Sequence, residues 1–178
     1  MKKLWIFLSI LTPALATAQD KNMIPKEKWS KKFYISDEFC AGRGLKAGDM
    51  NGLSKTWKGE TKKNGSMRVV DTRWYFNSPA EAVQYLKLNM PLLSESGDHV
   101  KIAIKIKDVS NLYIFNEGAG NRSMNEALGI KKFIYIFLFT VKNYLAKVSV
   151  STEKQSTVME AYEFAKEAAK RLNAAIKK

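Results

Sequence analysis

Seven consecutive apolar residues, Phe133 to Phe139, constrain the fold of this chain more than any other feature. A helix with one buried face shows apolar residues three and four apart, and a strand with one wet face alternates. Between Lys131 and Lys142 both parities are apolar, with Phe133, Tyr135, Phe137 and Phe139 set against Ile134, Ile136 and Leu138. A strand of that kind is covered on both faces, so it belongs in the middle of a sheet with one layer above and one below. As a helix the run is too short to cross a bilayer core, which takes about 20 apolar residues, and no later stretch is longer.

Its partners are readable on either side. Tyr144 to Ser151 returns across a turn near Asn143, with Tyr144, Ala146, Val148 and Val150 as the buried row. Val100, Ile102, Ile104 and Ile106 alternate with His99, Lys101, Ala103, Lys105 and Lys107, which predicts a strand with a basic outer side, and Asn111 to Asn116 forms the next strand. Ser54 to Thr61 and Met67 to Phe76 flank Lys62-Lys63-Asn64-Gly65, whose Asn-Gly pair supplies the positive φ angles of a tight hairpin. Phe33 to Ile35 is a further short strand, and Ala41 to Gly52, with Gly42, Gly44, Gly48 and Gly52, is a loop.

Two helices supply the layers. Ser78-Pro79-Ala80-Glu81 carries a cap, a proline at the first helical position and a capping-box carboxylate. Val83, Leu86, Met90 and Leu93 follow as the core face, and Pro91 bends or ends the helix before Gly97. The last helix starts at Ser156 or Thr157 with Glu160 in capping position. Its stripe is Val158, Ala161, Tyr162, Ala165, Ala168, Ala169, Leu172 and Ile176, rich in alanine and therefore suited to close packing on a sheet. The expected fold is α+β: a mainly antiparallel sheet of five to seven strands flanked by helices, an α/β/α sandwich, formed by residues 33–178 as a single domain. The order of hairpin, capped helix, strand meander and alanine-rich closing helix over residues 54–176 resembles PsbP-like proteins, exported accessory proteins that include extrinsic subunits of photosystem II. It is also similar to small exported bacterial proteins. The resemblance implies an accessory role and assigns no metal or pigment site.

Residues 1–18 read as a signal peptide: Lys2 and Lys3, an apolar stretch from Leu4 to about Leu15, then Ala16-Thr17-Ala18 before a cut at Gln19. The polar residues 19–32, with Pro25, are a mobile lead-in. Cys40 lies too far along the chain for a lipid anchor, so the product is expected in the periplasm or outside the cell, with no stable membrane span. Loss of the leader takes the net charge from +13 to +11, shared about evenly between residues 19–76 and 77–178.

With one Cys and one His, the chain has no internal disulfide and no His-rich metal site, and the expected complement of metals and cofactors is none. No catalytic residue is assigned. Cys40 and His99 have no spacing that makes a thiol–imidazole pair, Asp98, His99 and Asp108 no spacing that makes a metal site, and Glu160, Glu163 and Glu167 belong to a solvated helix face. Gly118-Ala119-Gly120-Asn121-Arg122-Ser123 lacks the long helix and parallel strand of a nucleotide site. What remains is basic surface. Lys62, Lys63, Arg68, Arg73, Lys101, Lys105, Lys107 and Arg122 are the candidate anion contacts, with Trp57 and Trp74 as aromatic contacts. The leading expectation is an exported, non-enzymatic binding or accessory protein for an anionic ligand or an envelope protein, with nucleic acid ranked below these. The alternatives are a small secreted enzyme with a site built from the glycine-rich loops, for which Asp49, Glu117 and His99 are the groups to test first, and a subunit of an envelope complex docking through exposed aromatics such as Trp29 and Trp57.

Overall fold

A computed structural model describes residues 37–42, 44–61, 64–96, 98–100, 105–116, 133–154 and 156–177. Its elements are α1 (Asp37–Cys40), β1 (Leu53–Thr61), β2 (Gly65–Tyr75), α2 (Pro79–Ser96), β3 (Asp98–His99), β4 (Ser110–Asn116), β5 (Phe133–Val141), β6 (Tyr144–Thr152) and α3 (Val158–Ile176). The expected leader, lead-in and Phe33–Ile35 strand lie outside the described residues, as do Lys62, Lys63, Lys101, Glu117 and Arg122.

The strands form one sheet in the order β1-β2-β6-β5-β4-β3, every neighbouring pair antiparallel. The doubly apolar run becomes β5, between β6 and β4, as its pattern requires. Side chains of one parity, among them Val69, Val148, Val150, Phe137 and Phe139, pack with the buried face of α3. Side chains of the other parity, Leu138 and Leu145, pack with Ala82 and Leu86 of α2. Helices therefore lie on opposite faces of an antiparallel sheet, the α/β/α layering expected from the sequence.

Local chemistry explains where elements stop. The Thr157 hydroxyl accepts from Glu160 N–H and the Glu160 carboxylate accepts from Thr157 N–H, a complete capping box at the start of α3. At α2 the Ser78 hydroxyl accepts from Glu81 N–H, but the Glu81 carboxylate reaches one residue further back, to Asn77 N–H. Pro91 does not end α2, which runs on to Ser96. Val83 is only half-buried, and the described core face of α2 is Ala82 and Leu86. The β5–β6 turn uses Lys142 at φ 50°, and Asn143 Nδ2 donates to the carbonyls of Phe76 and Asn77, tying that turn to the entry of α2.

The expected strand through Val100–Lys107 is not formed where it is described. β3 ends at His99, residues 101–104 lie outside the described residues, and Lys105 to Val109 make a loop with Asp108 at φ 61°. The loop is anchored because Ile106 is buried and Tyr162 donates its hydroxyl hydrogen to the Lys105 carbonyl.

Candidate anion-binding face

Period-two alternation divides the charged residues of the β1-β2-β6 half of the sheet between two environments. Asp71 and Arg73 share parity with Met67 and Val69 and point under α3, where both are fully buried. Arg73 Nε and Nη2 donate to the two Asp71 carboxylate oxygens at 3.1 and 2.8 Å. Nη1 donates to the Cys40 carbonyl at 3.0 Å, and Nη2 also reaches the Ala168 carbonyl at 3.4 Å. The Phe39 ring lies 4.9 Å from the guanidinium carbon. One side chain thus ties α1, the sheet and α3 together. Burial works against its charge, yet the Asp71 carboxylate overcomes this and holds the Arg73 pKa above its ordinary value.

Cys40 belongs to the same cluster and is 1% exposed. Burial pushes its thiol pKa up, and the opposing pull of Arg73 does not cancel that effect. At neutral pH the group is a thiol, the unreactive form. His99 is exposed on β3, against the rings of Tyr113 and Phe115, while Cys40 bonds to β2. Three strands lie between β2 and β3, so at ~4.8 Å per strand spacing these residues are not a catalytic pair. Among the described residues no three His, Cys, Asp or Glu side chains converge as a metal site. Native protein should react with an aromatic disulfide reagent at a small fraction of the rate seen after denaturation, and should migrate identically with and without reductant. Stoichiometric labelling of native protein within seconds would contradict this placement.

The other parity faces away from α3. Register pairs align Ser54 with Thr72, Thr56 with Val70, Lys58 with Arg68 and Glu60 with Ser66. They align Arg68 with Ser151, Val70 with Ser149 and Thr72 with Lys147. The next pair, Trp74 with Leu145, packs with the core face of α2, which also covers Leu138 on β5. The helix therefore covers one half of this face. The other half leaves Ser54, Thr56, Lys58, Glu60, Ser66 and Arg68 exposed and Val70, Thr72, Lys147, Ser149 and Ser151 half-exposed. Lys58 stands directly opposite Arg68, an unfavourable juxtaposition of like charge, and among the described residues none of Lys58, Arg68 and Lys147 forms an ion pair.

Of the residues expected to contact an anion, Arg68 is on this open half. Arg73 is on the other face with its charge already satisfied, so it offers nothing to an external ligand. Lys105 and Lys107 are exposed, but on the loop that follows β3. Trp57 is 1% exposed, against Phe39 at a ring separation of 6.1 Å, which removes it both as a stacking platform and as a docking residue for a partner subunit. Trp74 is half-buried beside Tyr85 of α2, and its Nε1 donates to the Met50 carbonyl. Lys58 and Lys147 were not anticipated. Lys58 is legible once the hairpin register is known, whereas Lys147 depends on the long-range pairing of β2 with β6.

No family model matches the chain, and no curated protein sequence does, so nothing found supports the resemblance to PsbP-like proteins specifically. Among solved structures, the extracellular domain of PknH from Mycobacterium tuberculosis is similar at 13% identity and a TM-score of 0.40, over 81% of this chain and 76% of that one. At that level of overlap no residue role or activity follows.

Proposed function

We propose that this chain is an exported, non-enzymatic binding domain that holds an anionic partner on the half of the sheet that α2 leaves open. The observation that carries the proposal is the placement of Lys58, Arg68 and Lys147 on one hydroxyl-rich face of the sheet without carboxylate partners among the described residues. Opposed cations of this kind cost stability in the free protein, and an anion seated between them relieves that cost. The surrounding serines and threonines add hydrogen bonds without filling the surface. No helix among the described residues is long and apolar enough to cross a membrane. Export rests on the leader pattern of residues 1–18.

The test is retention on an anionic resin such as heparin. The triple variant Lys58→Gln, Arg68→Gln and Lys147→Gln removes two exposed cations and one half-exposed one, each worth about 0.2–1 kcal/mol as a solvent-reaching pair, so affinity falls on the order of tenfold. Wild-type binding weakens steeply between about 50 and 500 mM salt. The control variant Lys166→Gln with Lys170→Gln removes two cations from α3, next to Glu163 and Glu167, and should change little. Equal loss in the two variants would mean that net charge, and not this surface, governs binding.

A further inference from the structure

We infer that the partner is a linear anionic polysaccharide lying obliquely across β1, β2 and β6. This rests on the proposed anion-binding role and specifies its ligand class. The spacing of the cations makes the first argument. Lys58 and Arg68 are register partners on neighbouring strands, about 5 Å apart at the backbone. Lys147 is the partner of Thr72, four residues along β2 from Arg68. At ~3.4 Å per residue and ~4.8 Å between strands, its backbone lies ~14 Å from that of Arg68. Side chains stand roughly perpendicular to a sheet, so charges carried upright on these positions stay about as far apart as the backbone. That is wider than a single phosphate or monosaccharide, and an extended chain with separated charges is what meets all three.

The surface between the cations makes the second argument. It is lined by hydroxyls, with Ser149 beside Val70 and Thr72 hydrogen-bonded to Ser54 at 2.8 Å. A hydroxyl both donates and accepts, which matches sugar hydroxyls, whereas an uninterrupted row of phosphates calls only for donors and cations. Glu60, two residues beyond Lys58 on the same face, penalises a densely charged polymer more than a sparsely charged one. Single-stranded nucleic acid is held by bases stacked on aromatic rings. The described residues of the open half present no such ring, since Trp74 is packed with α2 and Trp57 lies on the opposite face.

Calorimetric titration of the full-length mature protein with inorganic phosphate, a uronate disaccharide, the corresponding hexasaccharide and an oligothymidylate separates the possibilities. The hexasaccharide should bind at least about tenfold more tightly than the disaccharide, because linked sites act at high effective concentration. Lys147→Gln should cut hexasaccharide affinity by up to about fivefold and disaccharide affinity by less, so that the advantage of the longer chain shrinks. The polysaccharide assignment is overturned if phosphate or the disaccharide binds as tightly as the hexasaccharide, or if oligothymidylate binds more tightly. With either result, continued sensitivity to Lys58→Gln with Arg68→Gln leaves the anion-binding reading standing. If that double variant changes the affinity of none of the four probes, the anion-binding reading fails as well. No variant should unfold earlier than wild type on heating, because all three side chains reach solvent and loss of Lys58 or Arg68 relieves the repulsion between them.

Discussion

Arg73→Ala should lower the stability of the fold by about 3–5 kcal/mol, the cost of leaving one partner of a buried ion pair uncompensated. The magnitude is large against a typical total of about 5–15 kcal/mol for a domain. The substitution strands the Asp71 carboxylate in the core and takes the donors away from the Cys40 and Ala168 carbonyls. Denaturant unfolding followed by tryptophan fluorescence reads the loss as a shift in midpoint. Arg73→Lys keeps the charge but lacks the planar fork that serves both Asp71 oxygens and Cys40 at once, so it should recover only part of the loss. Replacing both partners, Asp71→Leu with Arg73→Met, should cost less than Arg73→Ala alone, because no charge is then left unpaired. A loss below about 1 kcal/mol for Arg73→Ala would show that the pair does not hold the layers together.

Gly52→Ala is the second large effect, expected at about 2–5 kcal/mol from two additive causes. Gly52 sits at φ 63°, where a residue with a Cβ pays about 1–2 kcal/mol. A Cβ built there also stands 2.7 Å from the Arg73 carbonyl oxygen and 2.7 Å from Trp74 Nε1, and such overpacking costs about 1–3 kcal/mol. Relief requires the loop to lift from β2, which strains the Trp74 bond to Met50 and the bond from Gly48 N–H to the Tyr75 carbonyl. Gly44→Ala is the comparison. It shares a positive φ of 82° but has open space around it, so it should pay the backbone cost alone. Equal losses at the two positions would show that the close approach contributes nothing.

Local pattern carried the fold further than it carried the site. The doubly apolar β5, the alternating β6, the Asn64-Gly65 hairpin and both helix starts were legible because each rests on residues close in sequence. Phe164 escaped the α3 stripe, although it is fully buried, because seven apolar positions leave a wider arc than a strict spacing rule admits. Lys105 and Lys107 looked like a strand face because the alternation of Ile102, Ile104 and Ile106 with lysine is indistinguishable from one before the turn at Asp108 is known. Grouping Arg68 with Arg73 was avoidable, since an even and an odd position on one strand face opposite ways. The Lys58, Arg68 and Lys147 surface was not legible, because it depends on which strands pair and on where α2 lies.

The most direct test of the account is a map of backbone amide shifts by nuclear magnetic resonance, recorded while a heparin-type oligosaccharide is added to the folded protein. The account predicts that the perturbed amides cluster at Thr56–Lys58, Arg68–Thr72 and Lys147–Ser151, with α3 and the Lys105–Val109 loop unchanged. Perturbation confined to α3 or to that loop, with the open half of the sheet silent, would contradict it.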